Sequence, residues 1–381
     1  MGKATASPPP PPKEHKVLVP PLFDYPPIAA RTRMSVPAYE VMFGKLSLQN
    51  LFEDYFDQAG NMTSRIMLKA LEDPHVDLIA TVSAPADKKC GRAKGDALFR
   101  WQKESDDPHI FVDLLVSTSN LMWQLRPSAY YPEYGIGAFG TPLLMGNRVH
   151  SEDSLVMGLR YGSENLSLGA SFVPFPLSGE VPYGACYSVG STSPLSPLST
   201  FTLELARSTQ LTTSFYQHMV VQRGLKNPSE DKKVVEITNY IDFGLEFTGR
   251  IDKEPAENGN SLFQLAASWQ ANKNFLLKGK LGPSKSSVVL ALKSWWRPSF
   301  TFSVTAVNDH STGTTSFGFG IRTEDLRQTS YQRADPNYIM LTPNTEHSAQ
   351  GVGERPVFQA HSDSGSYDHL PTDLRPLNRI M

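Results

Sequence analysis

The chain has 381 residues, of which 40% are hydrophobic and 19% charged, and its formal net charge is −2 at pH 7. This balance argues against a broad basic surface, so no nucleic-acid partner is expected. The cysteines, Cys90 and Cys186, are too few for a disulfide framework or a metal-binding set. No stretch of about 18 or more apolar residues predicts a transmembrane helix.

A proline-rich tail and one amphipathic helix come first in the chain. Residues 1–38 are rich in proline, which predicts an extended or disordered tail. The N-terminal segment 39–60 then carries apolar side chains at helical spacing, with acidic residues off that face. These apolar residues are Leu48, Leu51, Phe52, Tyr55 and Phe56. The helix is expected to pack on a core, against a barrel wall or inside a barrel lumen.

Short alternating strands follow over residues 61–324. The stretch from Phe300 to Ala306 shows the pattern most clearly, because apolar residues alternate there with threonine and serine. Side chains alternate across a strand, so each such segment has one apolar and one polar face. About 17 to 19 strands are predicted, which is too many for one small sandwich and favours a single closed barrel. Residues 325–381 lose the pattern and are predicted to form a disordered C-terminal tail.

The number of strands decides which face of the sheet meets water. A closed barrel of this size is too wide for side chains to fill, so its inner wall is expected to be polar and its outer wall to face lipid. The predicted fold class is all-β, a large transmembrane β-barrel of about 19 strands with one short N-terminal helix. Charged residues on the polar faces are the candidates for the pore lining: Arg160, Asp242, Glu246, Arg250, Lys278, Lys280, Lys293 and Arg322.

Aromatic residues near strand ends are predicted to form girdles at the two membrane interfaces. They are Trp269, Trp295, Trp296, Tyr161 and Phe317. Ordinary core or cross-strand packing is the alternative interpretation for all of them.

Motifs of catalysis or cofactor binding are weak in this chain. Residues 135–140 match G-x-G-x-x-G, but the dinucleotide fingerprint needs a helix after it, and Thr141-Pro142 follows here. The histidines are dispersed, and the residues around Cys186 lack the first glycine of a nucleophile elbow. No catalytic residue, metal site or cofactor is therefore predicted, and the chain is not expected to be an enzyme.

The stretch from Leu262-Phe-Gln-Leu-Ala-Ala-Ser-Trp-Gln270 through Phe317-Gly-Phe-Gly-Ile321 resembles the closing strands of the eukaryotic porin family, the voltage-dependent anion channels. Trp296-Arg297-Pro298-Ser299 stands at the family's Arg-Pro-Gly-like turn, with serine in place of glycine. Gly158-Leu159-Arg160 stands where the family often has Gly-Leu-Lys, a triplet linked to nucleotide contact. Pro37-Ala-Tyr39 is similar to the family's lead into a pore helix. The long tails depart from compact members, and the chain as a whole resembles a divergent plant branch of the family.

The resemblance implies a barrel of about 19 strands in the mitochondrial outer membrane, with the first and last strands parallel. The expected function is passive diffusion of ions and small metabolites, with membrane lipids and other outer-membrane proteins as partners. A plastid outer envelope is the alternative location. A barrel with a protein-import or docking role, and a soluble all-β binding protein, are the alternative functions.

Overall fold

The computed structural model describes Phe23 and residues 45–325, and the statements below concern that part of the chain. Short gaps inside it also lie outside the described residues: 71, 74, 87–92, 104–108, 119–121, 146–155, 164–165, 175–182, 191–198, 207–208, 227–232, 251–261 and 297. The tails predicted for residues 1–38 and 325–381 therefore lie outside the description, apart from Phe23 and Asp325. The side chain of Arg250 also lies outside it.

The chain begins its described part with two short helical segments and continues as strands. Helix α1 spans Leu46–Phe52, and a single 3-10 turn spans Phe56–Gln58. The strands are β1 (Asn61–Lys69), β2 (Val76–Pro85), β3 (Lys94–Gln102), β4 (Ile110–Ser117), β5 (Met122–Tyr131), β6 (Ile136–Gly140), β7 (Leu143–Met145), β8 (Met157–Gly162), β9 (Leu166–Phe172), β10 (Tyr183–Gly190), β11 (Ser199–Ala206), β12 (Gln210–Lys226), β13 (Lys233–Arg250), β14 (Leu262–Asn272), β15 (Phe275–Leu281), β16 (Lys285–Ser294), β17 (Ser299–Asp309) and β18 (Thr314–Asp325).

The 18 strands close into one barrel with 17 positions around its circumference, which we call staves. The strands β6 and β7 share one stave, because they lie end to end along β5. Thr141 and Pro142 separate these two strands, and proline has no N–H to donate to the sheet. Consecutive staves are antiparallel, and an odd number of antiparallel staves can close only by pairing two parallel strands. β1 and β18 make that parallel pair, with Met62 opposite Phe319 at one end. The predicted barrel and its parallel closure are present, with 17 staves against the roughly 19 expected.

The two faces of the sheet are inverted relative to a soluble barrel. On β16, the side chains of Val288, Leu290 and Leu292 point outward and are exposed, whereas Ser287 and Lys293 point inward and are buried. β17 repeats this arrangement over the stretch from Phe300 to Thr305. Apolar residues thus form the outer wall, and polar residues form most of the inner wall, as the strand pattern predicted.

Exposed aromatic side chains lie on the outer wall near both edges of the barrel. At the edge where β1 ends, β14 contributes Trp269 and β8 contributes Tyr161, with Trp296 just after β16. At the opposite edge, β18 contributes Phe317. The prediction was wrong for Trp295, which points inward and is buried, and whose indole N–H donates to the Lys273 carbonyl at 2.7 Å.

Within the described residues, no helix has both the length and the apolar character needed to cross a membrane.

Candidate functional site: the lumen and its N-terminal segment

The helix α1 lies inside the barrel against the inner wall. Leu48, Leu51 and Phe52 pack on Tyr216 and on Ala266 in one buried cluster. The apolar face predicted from the sequence is therefore the face that contacts the wall. The sequence left open whether the helix packs on a core, against a barrel wall or inside the lumen, and the structure places it inside the lumen.

The apolar stripe continues past α1 on a different backbone path. The sequence predicted one helix from Leu46 to Asp57, but α1 ends at Phe52, and Tyr55 adopts a left-handed backbone with φ of 71°. That turn redirects the chain, so that Tyr55 and Phe56 pack on Val289 and on Ala291 of β16 in a second buried cluster. A non-glycine residue in this conformation is uncommon, and the surrounding contacts must stabilise it.

Glycines on the wall allow this close approach. A Cβ at Gly244 of β13 would lie 2.6 Å from Leu51 Cδ2. A Cβ at Gly318 of β18 would lie 1.9 Å from the Gln58 carbonyl oxygen, and one at Gly320 would lie 2.4 Å from the Gln58 side-chain amide. The wall is therefore shaped for a segment that runs from α1 to Gln58.

Two of the predicted pore-lining lysines bind the C-terminal end of α1. Lys278 Nζ donates to the Asn50 carbonyl oxygen at 2.9 Å, and Lys280 Nζ donates to the Phe52 carbonyl oxygen at 3.0 Å. The last carbonyls of a helix have no partner within it, and they carry the negative end of its dipole. The lysines therefore lie in the lumen, as the strand pattern predicted, but they hold the segment there.

Arg322 fixes the turn after the helix. Its guanidinium donates to the two carboxylate oxygens of Asp54 at 2.5 and 3.2 Å, and it lies 3.7 Å from the centre of the Tyr55 ring. Burial alone would raise the pKa of Asp54, but Arg322, assisted by Lys278 and Arg65, holds that pKa well below its ordinary value. Asp54 is thus a carboxylate inside the barrel.

Hydroxyl groups of the wall also bind the segment. Thr305 Oγ1 donates to the Tyr55 carbonyl oxygen at 2.9 Å, and Ser303 Oγ donates to the Gln58 side chain at 2.7 Å. Both wall residues belong to the polar phase of β17, whose threonines and serines were predicted to face water. Part of this polar face therefore binds the N-terminal segment.

The predicted residue Lys293 has a different environment at the edge where β16 ends. Its ammonium lies 3.3 Å from Glu324 Oε2 and 4.3 Å from the centre of the Trp295 ring. Phe23 lies nearby, 5.9 Å from the same ammonium, and its backbone N–H donates to the Gln270 side chain. Lys293 is therefore a paired, buried cation.

The predicted acidic residues lie on β13, beneath α1. Asp242 Oδ1 accepts a hydrogen bond from the Tyr216 hydroxyl at 3.0 Å and lies 2.6 Å from His218 Nδ1. These three side chains line a cavity of about 40 Å³ between α1 and the wall. Glu246 lies further along the same strand, 3.5 Å from Ser214 Oγ.

The wall formed by β2 to β5 carries charges that sequence reasoning missed. The strand register places Asp77, Arg100, Asp113 and Arg126 side by side, so that their charges alternate in sign. Arg100 donates to both oxygens of the Asp113 carboxylate at 2.5 Å. Each of these residues lies on the face of its strand that carries the polar side chains. That alternation is the signal by which the sequence could have identified them.

Arg160, the predicted residue on β8, also faces inward. Its Nε donates to Ser167 Oγ at 3.0 Å, and its guanidinium lies 4.2 Å from the centre of the Tyr130 ring. It is well separated in the sheet from the staves that bind α1, which are β12, β13 and β14. The structure therefore divides the predicted pore-lining set into residues that bind the segment and residues elsewhere on the lumen wall.

These features define the class of protein: a large closed β-barrel with an apolar outer wall and a polar lumen that holds an N-terminal segment of the chain. Comparison with protein-family models and with curated proteins found no match.

Proposed function

We propose that this chain is a channel-forming barrel of an outer membrane, through which ions and small metabolites diffuse passively. The observation that carries the proposal is the inversion of the wall. Large apolar side chains such as Phe302 and Leu292 are about half exposed on the outside, whereas Ser303 and Lys293 are buried on the inside. Water on the outer wall would oppose this arrangement, and lipid would favour it. The soluble alternative would leave the whole apolar outer wall in water.

The size of the barrel supports an aqueous path beside the N-terminal segment. A barrel with this many strands is too wide to be filled by its own side chains. Helix α1 packs on the side formed by β12 to β14, and the 3-10 turn lies over β16 to β18 and β1. The path would therefore run along the staves from β2 to β10, where Arg160 and the row from Asp77 to Arg126 lie.

The charges on both sides of the lumen favour weak ion selectivity. The row on β2 to β5 alternates in sign, so its net charge is small. The cations on the other side are partnered: Arg322 by Asp54, Lys293 by Glu324, and Lys278 by a helix carbonyl. We therefore expect a pore that passes both anions and cations while the segment is docked.

The resemblance to the eukaryotic porins supports placing the barrel in the mitochondrial outer membrane, with the plastid outer envelope as the alternative. Membrane lipids would contact the outer wall, and other outer-membrane proteins are further partners that the resemblance implies. Carbonate extraction of organelle membranes tests the membrane proposal directly. Recovery of the chain in the supernatant would contradict it.

Conductance of the refolded full chain in planar bilayers tests the channel proposal. A salt gradient should give reproducible conductance steps and a reversal potential close to zero. Arg160→Gln should shift the reversal potential towards cations, because it removes a positive charge from the proposed path. Lys103→Gln is the matched control, since the Lys103 side chain is exposed just after β3, in phase with the outward-facing Trp101, and its loss should leave the potential unchanged. Absence of conductance from folded barrels would refute the channel and would favour the import or docking alternative.

A further inference from the structure

The seam between β1 and β18 combines two unfavourable features. In the part of the chain that the structure describes, β1 and β18 pair in parallel and the other strand pairs are antiparallel. Parallel pairing is slightly less stable per residue than antiparallel pairing. Its register also places Arg65 directly opposite Arg322. Both side chains lie on the inner face, and like charges opposite each other across strands are destabilising.

The N-terminal segment supplies one carboxylate to each of these arginines. Asp54 accepts two hydrogen bonds from Arg322, and Asp57 Oδ2 lies 4.0 Å from Arg65 Nη2. The two carboxylates are three residues apart in the chain, on either side of the turn at Tyr55. One short segment therefore neutralises both strands of the seam.

Backbone contacts of the same segment also reach both sides of the seam. The Gly60 N–H donates to the Phe317 carbonyl oxygen of β18 at 3.1 Å. The Gly60 carbonyl accepts from the Ala86 N–H, just beyond β2, at 2.9 Å. The Gln58 carbonyl lies so close to Gly318 that a Cβ there would force the two backbones apart, and the Gln58 side-chain amide fills the space beside Gly320. The segment thus lies across the closure, held by charge and by shape.

We propose that residues 54–60 act as a clasp that keeps the barrel closed at its parallel seam. The inner face of the seam is an interaction surface, and its occupant is this acidic segment of the same chain. Release of the segment would remove one carboxylate from each of the two facing arginines and would loosen β1 and β18 selectively. The inference is independent of conduction, because a closed barrel without channel activity would need the same clasp.

Hydrogen exchange of the full-length chain, refolded in detergent micelles, tests the clasp. The variant D54N/D57N removes both carboxylates with little change of shape. It should accelerate exchange in residues 62–68 and 319–325 roughly tenfold relative to β4. Adding R65Q to that variant should restore most of the protection, because one of the two facing charges is then absent. E204Q is the matched control, since it removes the ion pair between Lys45 and Glu204 away from the seam.

The outcomes separate the clasp from general loosening. Faster exchange at the seam that R65Q reverses, with E204Q unchanged, would support the proposal. Equal acceleration in β4, unchanged protection at the seam, or a failure of R65Q to restore it would each overturn the proposal. If D54N/D57N does not refold, D54N alone gives the same comparison with a smaller expected acceleration.

Discussion

The close contact between Gly318 and Gln58 gives a sharp test of how the lumen segment is held. In Gly318→Ala, the new Cβ would lie 1.9 Å from the Gln58 carbonyl oxygen, whereas Cβ atoms in real structures stay at least 3.0 Å from such neighbours. The two backbones must therefore separate by about 1 Å (3.0 − 1.9). The atoms nearest to the new Cβ belong to the backbone of Gln58 and Ala59, so no side-chain rotation can relieve the clash.

The separation would break contacts whose magnitude can be estimated. The hydrogen bonds from Ser303 to Gln58 and from Thr305 to Tyr55 measure 2.7 and 2.9 Å, so an added 1 Å takes both beyond hydrogen-bond distance. Each such bond contributes about 1 kcal/mol, and overpacking costs about 1–3 kcal/mol. Docking of the segment should therefore weaken by about 3–5 kcal/mol, which is between two and four orders of magnitude in the docking equilibrium.

Hydrogen exchange in residues 45–60 measures this equilibrium, and Gly279→Ala supplies the matched control. Gly279 lies on β15, and a Cβ there would have no neighbour within 4 Å. Gly318→Ala should accelerate exchange in the segment at least tenfold, whereas Gly279→Ala should not. Equal protection in the two variants would refute the docking geometry.

Three further changes test the charges of the lumen and the outer wall. Lys278→Met leaves the Asn50 carbonyl without its donor and should weaken docking of α1 by about 1–3 kcal/mol, measured by the same exchange, while Lys285→Met should not. The pKa of Asp54 is raised by burial but lowered more by its cationic neighbours, so protonation of Asp54 should weaken docking below about pH 4. Exchange corrected for intrinsic rates should show a smaller loss of protection at low pH in Asp54→Asn than in the unchanged chain. Val288→Arg places a charge on the outer wall and should lower the unfolding free energy in lipid vesicles by about 2–4 kcal/mol, whereas no loss would mean that this wall does not face lipid.

The architecture of the barrel was predictable because it rests on local pattern. Period-two alternation identifies each strand and its faces without knowledge of any partner, and the number of strands then decides which face meets water. The same rule also places Trp295: outward residues on β16 fall at even positions from Val288 to Leu292, so Trp295 points inward. The prediction failed there because aromatic residues near strand ends were assigned to the girdles without checking whether each one falls on an outward or an inward position of its strand.

The docking of the segment was not predictable, because it depends on pairs of residues far apart in the chain. Lys278 and the Asn50 carbonyl that it binds are separated by 228 positions, and Arg322 and Asp54 by 268. The sequence pattern predicts that these cations face the lumen, but it carries no signal for which group they contact. The glycines show the same limit, since a glycine in a strand indicates close approach without naming what approaches.

An odd number of staves gives the lumen segment a role beyond narrowing a pore. With an even number, every pair could be antiparallel, and closure would need no special support. With 17 staves, one pair must be parallel, and this chain places Arg65 opposite Arg322 in that pair. The acidic residues that compensate them belong to the segment that occupies the lumen. Closure of the barrel and occupancy of its interior are therefore coupled through the same side chains, and the segment cannot leave the wall without a cost at the seam.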